Sequence, residues 1–440
     1  MLRWLHRRDG YWPALQRQAA AAATRASRRR SLATVAVGIS GGVDSSVAAL
    51  LLKEEGHDVI GVHMSNWDPA EEGSEACTER EARDAERVCT HLGIGFQRVS
   101  FVREYWHEVF EPLLRGYHDG GTPNPDVACN QQIKFDHFTR HVLSLGADRV
   151  ATGHYARVDR DAHGTARLLC ATDSVKDQTY FLSRVPQAAL QVSEFPIGHL
   201  MKEEVRARAA AAELHTATKR DSMGICFIGK RKFGEFLEGY LPQTPGAFVC
   251  VESGRKVGEH RGYALYTPGQ RARVSGQSTR WYVVDKDARS NVVIIARGSD
   301  HPALFTRGLV AEKAAWISGE APTELLAGRP LACTARIRHP GILSHVIIDA
   351  EYPPAEYPPA TAPAAAPPAA CMPAAEHAGR PRTHEGFVEG RLEGPVEGRE
   401  HSGLLHVHFD APMRDVAEMQ SIAIYEGEVC VHAYMCNMRT

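Results

Sequence analysis

The chain has 440 residues, of which 43% are hydrophobic and 24% charged, values typical of a folded globular protein. This length predicts two or three domains. The formal net charge of −2 excludes binding of nucleic acid through a global positive field, so a polyanion site must be a local basic patch. No apolar run approaches the roughly 18 residues that a membrane span requires, and no membrane association is expected.

The first thirty residues are rich in Arg and Ala, and Asp9 is their only acidic residue. This composition is typical of a mitochondrial transit peptide. We therefore predict that residues 1–32 are a transit or disordered segment and that the protein is located in the mitochondrial matrix. A basic tail that binds nucleic acid is the alternative interpretation.

Strand and helix patterns alternate from Thr34 onward. The runs "TVAVGIS", "DVIGVHMS", "FQRVSF" and "DRVATG" read as buried strands, and amphipathic or aromatic-rich helical segments separate them. This alternation predicts an α/β domain over residues 33–215, built on a parallel sheet covered on both faces. A ligand is expected at the carboxyl ends of the strands.

The string "GISGGVDSS" (Gly38–Ser46) follows the first strand and opens a helix. Glycines allow a close approach of the backbone to an anion, and N–H groups at the helix start point toward it. The loop lacks the GK[ST] ending of a Walker A motif. A phosphate-binding loop of another type is predicted.

The string "TPNPDVACNQQIKF" (Thr122–Phe135) contains a cysteine, Cys129, that follows a conformationally restricted loop. Pro123 and Pro125 fix the backbone, so the loop loses little entropy when it engages a ligand. Cys129 is expected near a helix N-terminus, where the dipole lowers a thiol pKa. Asp126 is predicted either to cap this helix or to act as a general acid/base.

A second unusual thiol is Cys226, in "KRDSMGICFIGKRKFGEF" (Lys219–Phe236). Five cations surround it in the sequence, which favours a thiolate and an approaching polyanion. The ten cysteines include no CxxC pair, so a reducing compartment is expected. No His/Cys cluster has zinc spacing, so no metal site of that kind is predicted.

From about Gly246 the pattern becomes short alternating β runs separated by turns, which predicts small β-barrels or sandwiches. Residues 216–302 are assigned to the Cys226 loop and a small central β-rich domain. Residues 303–440 are assigned to a C-terminal β-barrel. A Pro/Ala-rich tract at 351–402 is predicted to be a disordered insertion in a surface loop.

These motifs together resemble the tRNA-specific 2-thiouridylases, which belong to the N-type ATP pyrophosphatases with a PP-loop, and the mitochondrial form in particular. The strings that carry the resemblance are "SGGVDSS", "TPNPDVACN", "ATGHYARV", "DSVKDQTYFLS", "GICFIGKRKF", "YTPGQR" and "WYVVDKD". The resemblance covers residues 34–345 and 403–440. It implies ATP-dependent 2-thiolation of the wobble uridine of tRNA.

The resemblance also implies roles for individual residues. Asp44 would help to hold Mg²⁺, and Met64 and Gly153 would border the adenine and ribose of ATP. The nucleotide site would comprise Gly38, Ile39, Ser40, Gly41, Gly42, Val43, Asp44, Ser45, Met64 and Gly153. The catalytic residues would be Cys129, Cys226 and Asp126. The tRNA contacts would be Asn124, Pro125, Asp126, Lys176, Asp177, Gln178, Arg338 and His339.

In the implied reaction, ATP adenylates the uracil 2-oxygen and pyrophosphate leaves into the loop. Cys226 carries sulfur as a persulfide, and Cys129 releases it and forms a Cys129–Cys226 disulfide. The implied partners are the anticodon arm of tRNA, an upstream persulfide donor (a cysteine desulfurase or a relay protein) and a reductant for the disulfide. A monomer is expected.

Three alternatives stay open from the sequence. Amidotransferase-type synthetases use the same loop on small carbonyl substrates but need no paired cysteines. A tRNA-binding module with a relic nucleotide site is the second alternative. An iron–sulfur cluster held by Asp126, Cys129 and Cys226 is the third. The chain also departs from the family pattern at Gln131, where a basic residue is usual, and this affects the tRNA contacts rather than the reaction.

Overall fold

The computed structural model describes residues 32–68, 77–220, 231–339, 341–351 and 404–439. Its first sheet is parallel and has the strand order β3-β2-β1-β4-β7. The strands are β1 (Thr34–Gly38), β2 (Asp58–Ser65), β3 (Gly95–Ser100), β4 (Arg149–Thr152) and β7 (Ser193–Glu194). The predicted α/β domain with a parallel sheet is confirmed.

Helices cover both faces of this sheet, as expected for buried, β-branched strands. One face carries α1 (Val43–Glu54), α2 (Cys77–Leu92) and α9 (Lys202–Ala211). The other carries α3 (Val102–Tyr105), a π-helical segment (Trp106–Phe110) and α4 (Glu111–His118), followed by α5 (Pro125–Ala128), a second π-helical segment (Cys129–Phe138) and α6 (Thr139–Ser144). Two short helices, α7 (Thr179–Leu182) and α8 (Gln187–Gln191), precede β7.

The order in which strands are added to the sheet changes sides at β1: β2 and β3 lie on one side of β1, and β4 lies on the other. The chain moves outward from β1 through β2 to β3 on one side, and β4 then pairs with β1 on the other side. The loops that follow β1 and β4 therefore meet at a topological switch point, where open α/β sheets bind ligands. These loops contain Gly38–Ser46 and Gly153.

The second domain is a five-stranded sheet with the order β10-β11-β12-β8-β9. Its strands are β8 (Gly246–Cys250), β9 (Lys256–His260), β10 (Arg271–Ala272), β11 (Trp281–Asp287) and β12 (Val292–Arg297). Helix α10 (Phe233–Leu237) and 3-10 turns at Tyr263–Leu265 and Pro302–Leu304 flank the sheet. The sequence pattern predicted a central β-rich domain, and this expectation is confirmed.

Six strands of the third domain close into a barrel, because β13 pairs with both β16 and β18. They are β13 (Phe305–Trp316), β14 (Leu331–Arg336), β15 (Ser344–Glu351), β16 (Leu404–Arg414), β17 (Ser421–Glu426) and β18 (Val429–Arg439), with α11 (Thr323–Leu326) between β13 and β14. Strand β15 pairs with β16 from Glu351 opposite Leu404, so residues 352–403 connect two adjacent strands. The predicted disordered insertion lies almost wholly in that connection, outside the described residues.

A hairpin of the first domain joins the barrel sheet. Strands β5 (Arg157–Arg160) and β6 (Ala166–Leu169) pair with each other, and β6 pairs with β18 at Cys430 and Val429. The sequence analysis did not predict this hairpin. Hydrogen-bonded strands thus continue from residues of the predicted catalytic domain into the barrel. In the part of the chain that the structure describes, no helix is long and apolar enough to cross a membrane.

Candidate active site

The loop Gly38–Ser46 is held in shape by its own short side chains. The Ser46 hydroxyl donates to the carbonyl oxygen of Gly42 over 2.7 Å, and the Ser40 N–H donates to Ser45 Oγ over 3.2 Å. Gly41 has a φ of +72°, and a Cβ added there would lie 2.5 Å from the carbonyl oxygen of Glu81. Only glycine fits this turn. Helix α1 begins after Gly42 without a side-chain cap, so its first N–H groups are suited to an anion.

Asp44, in the first turn of α1, forms an ion pair with Lys202. The Lys202 ammonium lies 2.7 and 2.8 Å from the two carboxylate oxygens, and the Tyr155 hydroxyl donates to one of them over 2.8 Å. Carboxylate oxygens beside a phosphate loop are the donors that Mg²⁺ prefers, so the residues present fit that ion. Lys202 and Tyr155 were missed by the sequence analysis. Tyr155 lies within the "ATGHYARV" motif, whereas Lys202 has no local sequence signal.

A second lysine, Lys219, also contacts the loop Gly38–Ser46. Lys219 Nζ donates to the carbonyl oxygen of Gly41 over 2.9 Å and to Asp84 over 2.6 Å. Burial alone would raise the pKa of Asp84, but the hydrogen bond and charge of Lys219 outweigh it, and the pKa is lowered. Lys219 was counted among the cations near Cys226. In the structure it joins the phosphate loop to α2.

Gly153 and Met64 both lie against the loop. A Cβ at Gly153 would lie 2.5 Å from the amide nitrogen of Ser45, so the backbones are in close contact there. The Met64 methyl group lies 3.3 Å from the position of a Cβ on Gly38. Their contacts with adenine and ribose stay predictions.

The helix that leads into Cys129 begins at Pro125, and Asn124 is its N-cap. Asn124 caps it, because its Oδ1 accepts the N–H groups of Asp126 and Val127 over 2.9 and 3.2 Å. The prediction that Asp126 caps this helix is wrong, since Pro125 already occupies the first helical position and Asp126 lies inside the first turn.

Cys129 is buried, with 4% of its surface exposed. Burial raises the pKa of its thiol to about 11, Lys134 opposes this shift, and Asp126 adds to it. The prediction that the helix dipole lowers this pKa is wrong. Cys129 follows the first turn, where the dipole effect fades, and desolvation is the larger effect. Burial also raises the pKa of Asp126, against the opposing charge of Lys134.

The Cys129 helix and the phosphate loop meet on one side of the sheet. Phe138, the last residue of the π-helical segment, lies 3.7 Å from the position of a Cβ on Gly38. Cys129 belongs to the apolar cluster that includes Phe138, and Met64 packs against the same cluster. The structure therefore packs the far end of the helical segment that begins at Cys129 against Gly38, the first residue of the predicted nucleotide loop.

Asp177, predicted as a tRNA contact, is buried inside the protein. Its carboxylate accepts hydrogen bonds from Arg336 Nη1 over 2.7 Å, from the Thr179 hydroxyl over 2.6 Å and from the Ala171 N–H over 2.7 Å. Only 1% of its surface is exposed. This corrects the prediction for the Asp177 side chain, because its hydrogen bonds join the first domain to barrel strand β14 and leave no surface for a tRNA.

The other predicted tRNA residues line the neighbouring loops. Gln178 Oε1 accepts the Tyr155 N–H over 2.9 Å, and His339 Nε2 lies 2.9 Å from the Asp177 carbonyl oxygen. Burial lowers the pKa of His339. Arg338 is exposed and forms an ion pair with Asp415. Lys176 lies in a turn closed by Asp173, whose carboxylate accepts the Lys176 N–H over 3.2 Å.

Cys226 lies outside the described residues, as do the flanking positions 221–230. Within the described ranges, no group of three His, Cys, Asp or Glu side chains could hold a metal ion. The iron–sulfur alternative needs Cys226 as its third ligand, so it stays a sequence-based hypothesis.

Comparison with known proteins covers almost the whole chain. Residues 33–230 match the family model described as "tRNA methyl transferase HUP domain", and residues 234–297 match "tRNA methyl transferase PRC-barrel domain". The tRNA-specific 2-thiouridylase MnmA of Shouchella clausii is 48% identical over 406 residues, which cover 92% of this chain and 96% of that protein.

Two further relatives show the same similarity. The Mitochondrial tRNA-specific 2-thiouridylase 1 of Gallus gallus is 44% identical over 337 residues, covering 69% of this chain and 80% of that protein. The tRNA-specific 2-thiouridylase MnmA 2 of Geobacillus kaustophilus is 47% identical over 404 residues, covering 90% of this chain and 92% of that protein. The similarity therefore extends from the parallel-sheet domain through the barrel.

Proposed function

Because the chain belongs to the tRNA-specific 2-thiouridylase family, we propose that it uses ATP to convert the wobble uridine of tRNA into 2-thiouridine. The observation that carries the proposal is the contact between the phosphate loop and the helical segment that begins at Cys129. The loop Gly38–Ser46 lies at the switch point between β1 and β4, and Phe138, at the end of that segment, packs against Gly38. One motif suits a nucleotide and the other presents a thiol.

The first step is adenylation of the uracil 2-oxygen, which is a poor leaving group. The oxygen attacks the α-phosphorus of ATP and the bond to pyrophosphate breaks. Ser40, Ser45 and the first N–H groups of α1 would hold the departing pyrophosphate, a role supported by the uncapped start of that helix. Bound Mg²⁺ beside Asp44 would neutralise negative charge on the phosphates. The Lys202 ammonium adds positive charge at the same position.

The second step is sulfur transfer. Cys226 carries a persulfide received from a donor. The Cys129 thiolate attacks the inner sulfur, a Cys129–Cys226 disulfide forms, and hydrosulfide leaves. Hydrosulfide adds to the activated carbon, and AMP departs with the original oxygen. The disulfide then needs two electrons from an external reductant. We propose that Asp126, three residues before Cys129 in the same helical run, accepts the thiol proton; burial raises the pKa of its carboxyl, which makes the carboxylate a stronger base.

The location and partners follow from the same reasoning. The Arg- and Ala-rich first thirty residues and the similarity to a mitochondrial relative support the mitochondrial matrix. The proposed partners are tRNA through its anticodon arm, a cysteine desulfurase or relay protein, and a disulfide reductant. We propose that the protein acts as a monomer.

The test is reconstitution with an unmodified tRNA, Mg²⁺·ATP, and a cysteine desulfurase with cysteine. Mass spectrometry of the digested tRNA is expected to find 2-thiouridine at the wobble position, with one AMP formed per thiolated base. Cys226→Ser and Cys129→Ser are each expected to abolish thiolation, and Cys333→Ser, a change in the barrel, should not.

Two results would overturn the proposal. AMP formation without 2-thiouridine would indicate a different acceptor for the adenylate. Full thiolation by Cys226→Ser would remove the persulfide step and favour a synthetase that acts without paired cysteines.

A further inference from the structure

Lys286 lies where the three domains meet. It is on strand β11 of the central domain, two residues after a β-bulge at Val284. Its Nζ donates to the carbonyl oxygen of Gly121 over 3.0 Å and lies 5.5 Å from the centroid of the Tyr117 ring. Both partners belong to the first domain. A side chain of the central domain therefore holds the backbone just before the Cys129 helix.

The barrel contacts the same loop, residues 119–123, from another side. The Thr122 N–H donates to the carbonyl oxygen of Glu418 over 2.8 Å. A Cβ on Gly121 would lie 2.4 Å from the Met419 sulfur, so the Met419 side chain packs directly against the Gly121 backbone. The loop ends at Asn124, the residue that caps the helix of Asp126 and Cys129. Its position is thus set by contacts from both other domains.

We propose that Lys286 is a positioning residue for sulfur transfer. Its ammonium fixes loop 119–123, and through that loop it fixes the helix that presents Asp126 and Cys129 to the substrate. The placement of the loop follows from geometry alone, whereas the step that it affects rests on the proposed function. A displacement of about 1 Å at a reacting group can lower a rate by about a hundredfold.

The pKa of Lys286 provides an experimental readout, the dependence of the thiolation rate on pH. The charged or titratable groups that face it are Tyr117 from α4, Asp285 from its own strand and Glu418 from the barrel. Burial lowers the pKa of Lys286 to about 8, against the opposing effect of the two carboxylates. Tyr117 is itself buried, and its pKa is raised. The ammonium is therefore present below about pH 8 and lost above it.

Removal of this charge should affect the rate more than the stability. Because the folded state lowers the pKa of Lys286, the charged form is disfavoured by folding, and Lys286→Met is not expected to lower Tm appreciably. We expect kcat for thiolation to fall by about tenfold or more, with the KM for tRNA and the Kd for ATP nearly unchanged. The matched control is Lys256→Met, which changes an exposed lysine of the same domain paired with Glu259.

The pH profile separates positioning from a general structural role. Thiolation by the wild type is expected to level off as pH rises through about 8, because loss of the Lys286 ammonium offsets the growing population of Cys129 thiolate. Lys286→Arg keeps its charge, so its rate should continue to rise above that pH. The same levelling-off in both proteins, or a kcat of Lys286→Met within twofold of the wild type, would overturn the proposal. If the wild type made no 2-thiouridine, the proposed function itself would fail.

Discussion

At the residue scale, Asp44 and Lys202 neutralise each other inside the proposed nucleotide site. The ion pair is partly buried, with 12% of the Lys202 side chain exposed. If Mg²⁺·ATP binds as proposed, the carboxylate would turn to the metal ion and the ammonium to phosphate oxygens. Both charges would then keep a partner of opposite sign. This matters because an unpaired charge is costly in a partly buried site.

We predict that Lys202→Met lowers ATP turnover by about 10- to 100-fold, since a hydrogen bond to a charged group contributes about 1.5–3 kcal/mol. The measurement is tRNA-dependent AMP formation. Lys256→Met, at a lysine whose side chain is 56% exposed and paired with Glu259, is the control and should behave as wild type. Equal turnover of the two variants would exclude a role for Lys202 at the phosphates.

Cys129 gives a prediction about pH. With a pKa of about 11, the thiol is protonated at neutral pH, and the thiolate forms only as pH rises toward that value. Alkylation of Cys129 by iodoacetamide, followed by peptide mass spectrometry, should therefore be slow at pH 7 and accelerate well above pH 9. Lys134→Met should raise the pKa further, because Lys134 favours the thiolate. A midpoint near 8.5 or lower would contradict the burial of this thiol.

The sequence located Cys129 correctly but gave the wrong direction for its pKa. The motif "TPNPDVACN" shows a cysteine near a helix start, which is local information. Its burial comes from an apolar cluster that also contains Tyr105, Phe110 and Phe236, which lie outside this motif. Lys202 shows the same limit, since it lies 158 positions from Asp44 and only folding makes them partners.

At the element scale, the strands were predictable and the helix around Cys129 only in part. Buried β-branched runs identified the central strands of the parallel sheet. The π-helical segment Cys129–Phe138 and the hairpin β5–β6 have no comparable pattern. Strand β6 pairs with β18, so its partner lies about 260 residues further along the chain, beyond what periodicity can indicate.

Substitutions at Asn124, the N-cap of the helix that leads into Cys129, can distinguish a structural role of this residue from a contact with tRNA. Asn124→Ala removes the acceptor of two N–H groups and should destabilise the protein by about 1 kcal/mol. Asn124→Asp keeps the acceptor, so its Tm should match the wild type. If Asn124 also meets tRNA, the added negative charge should raise the KM for tRNA. A wild-type KM for Asn124→Asp would restrict the residue to capping.

At the scale of the whole molecule, a buried ion pair joins the first domain to the barrel. Asp177 comes from the loop before α7, and Arg336 comes from β14. Their side chains are 1% and 9% exposed. Tyr425 of β17 completes the junction, with its hydroxyl 3.0 Å from that of Thr179. The tRNA motif "DSVKDQTYFLS" is thus also an interdomain contact.

Loss of one partner of the Asp177–Arg336 pair should lower the free energy of unfolding considerably. Asp177→Asn would leave the Arg336 guanidinium buried without a counter-charge, which typically costs about 3–5 kcal/mol. Urea unfolding should therefore show a large decrease in stability, and limited proteolysis should cut between the first domain and the barrel. Asp159→Asn is the matched control, because the Asp159–Arg167 pair has similar distances but side chains that are each 43% exposed, and water compensates its loss. If both variants were equally stable, the Asp177–Arg336 pair would not be what holds the barrel to the first domain, and β6–β18 pairing and apolar packing would do so.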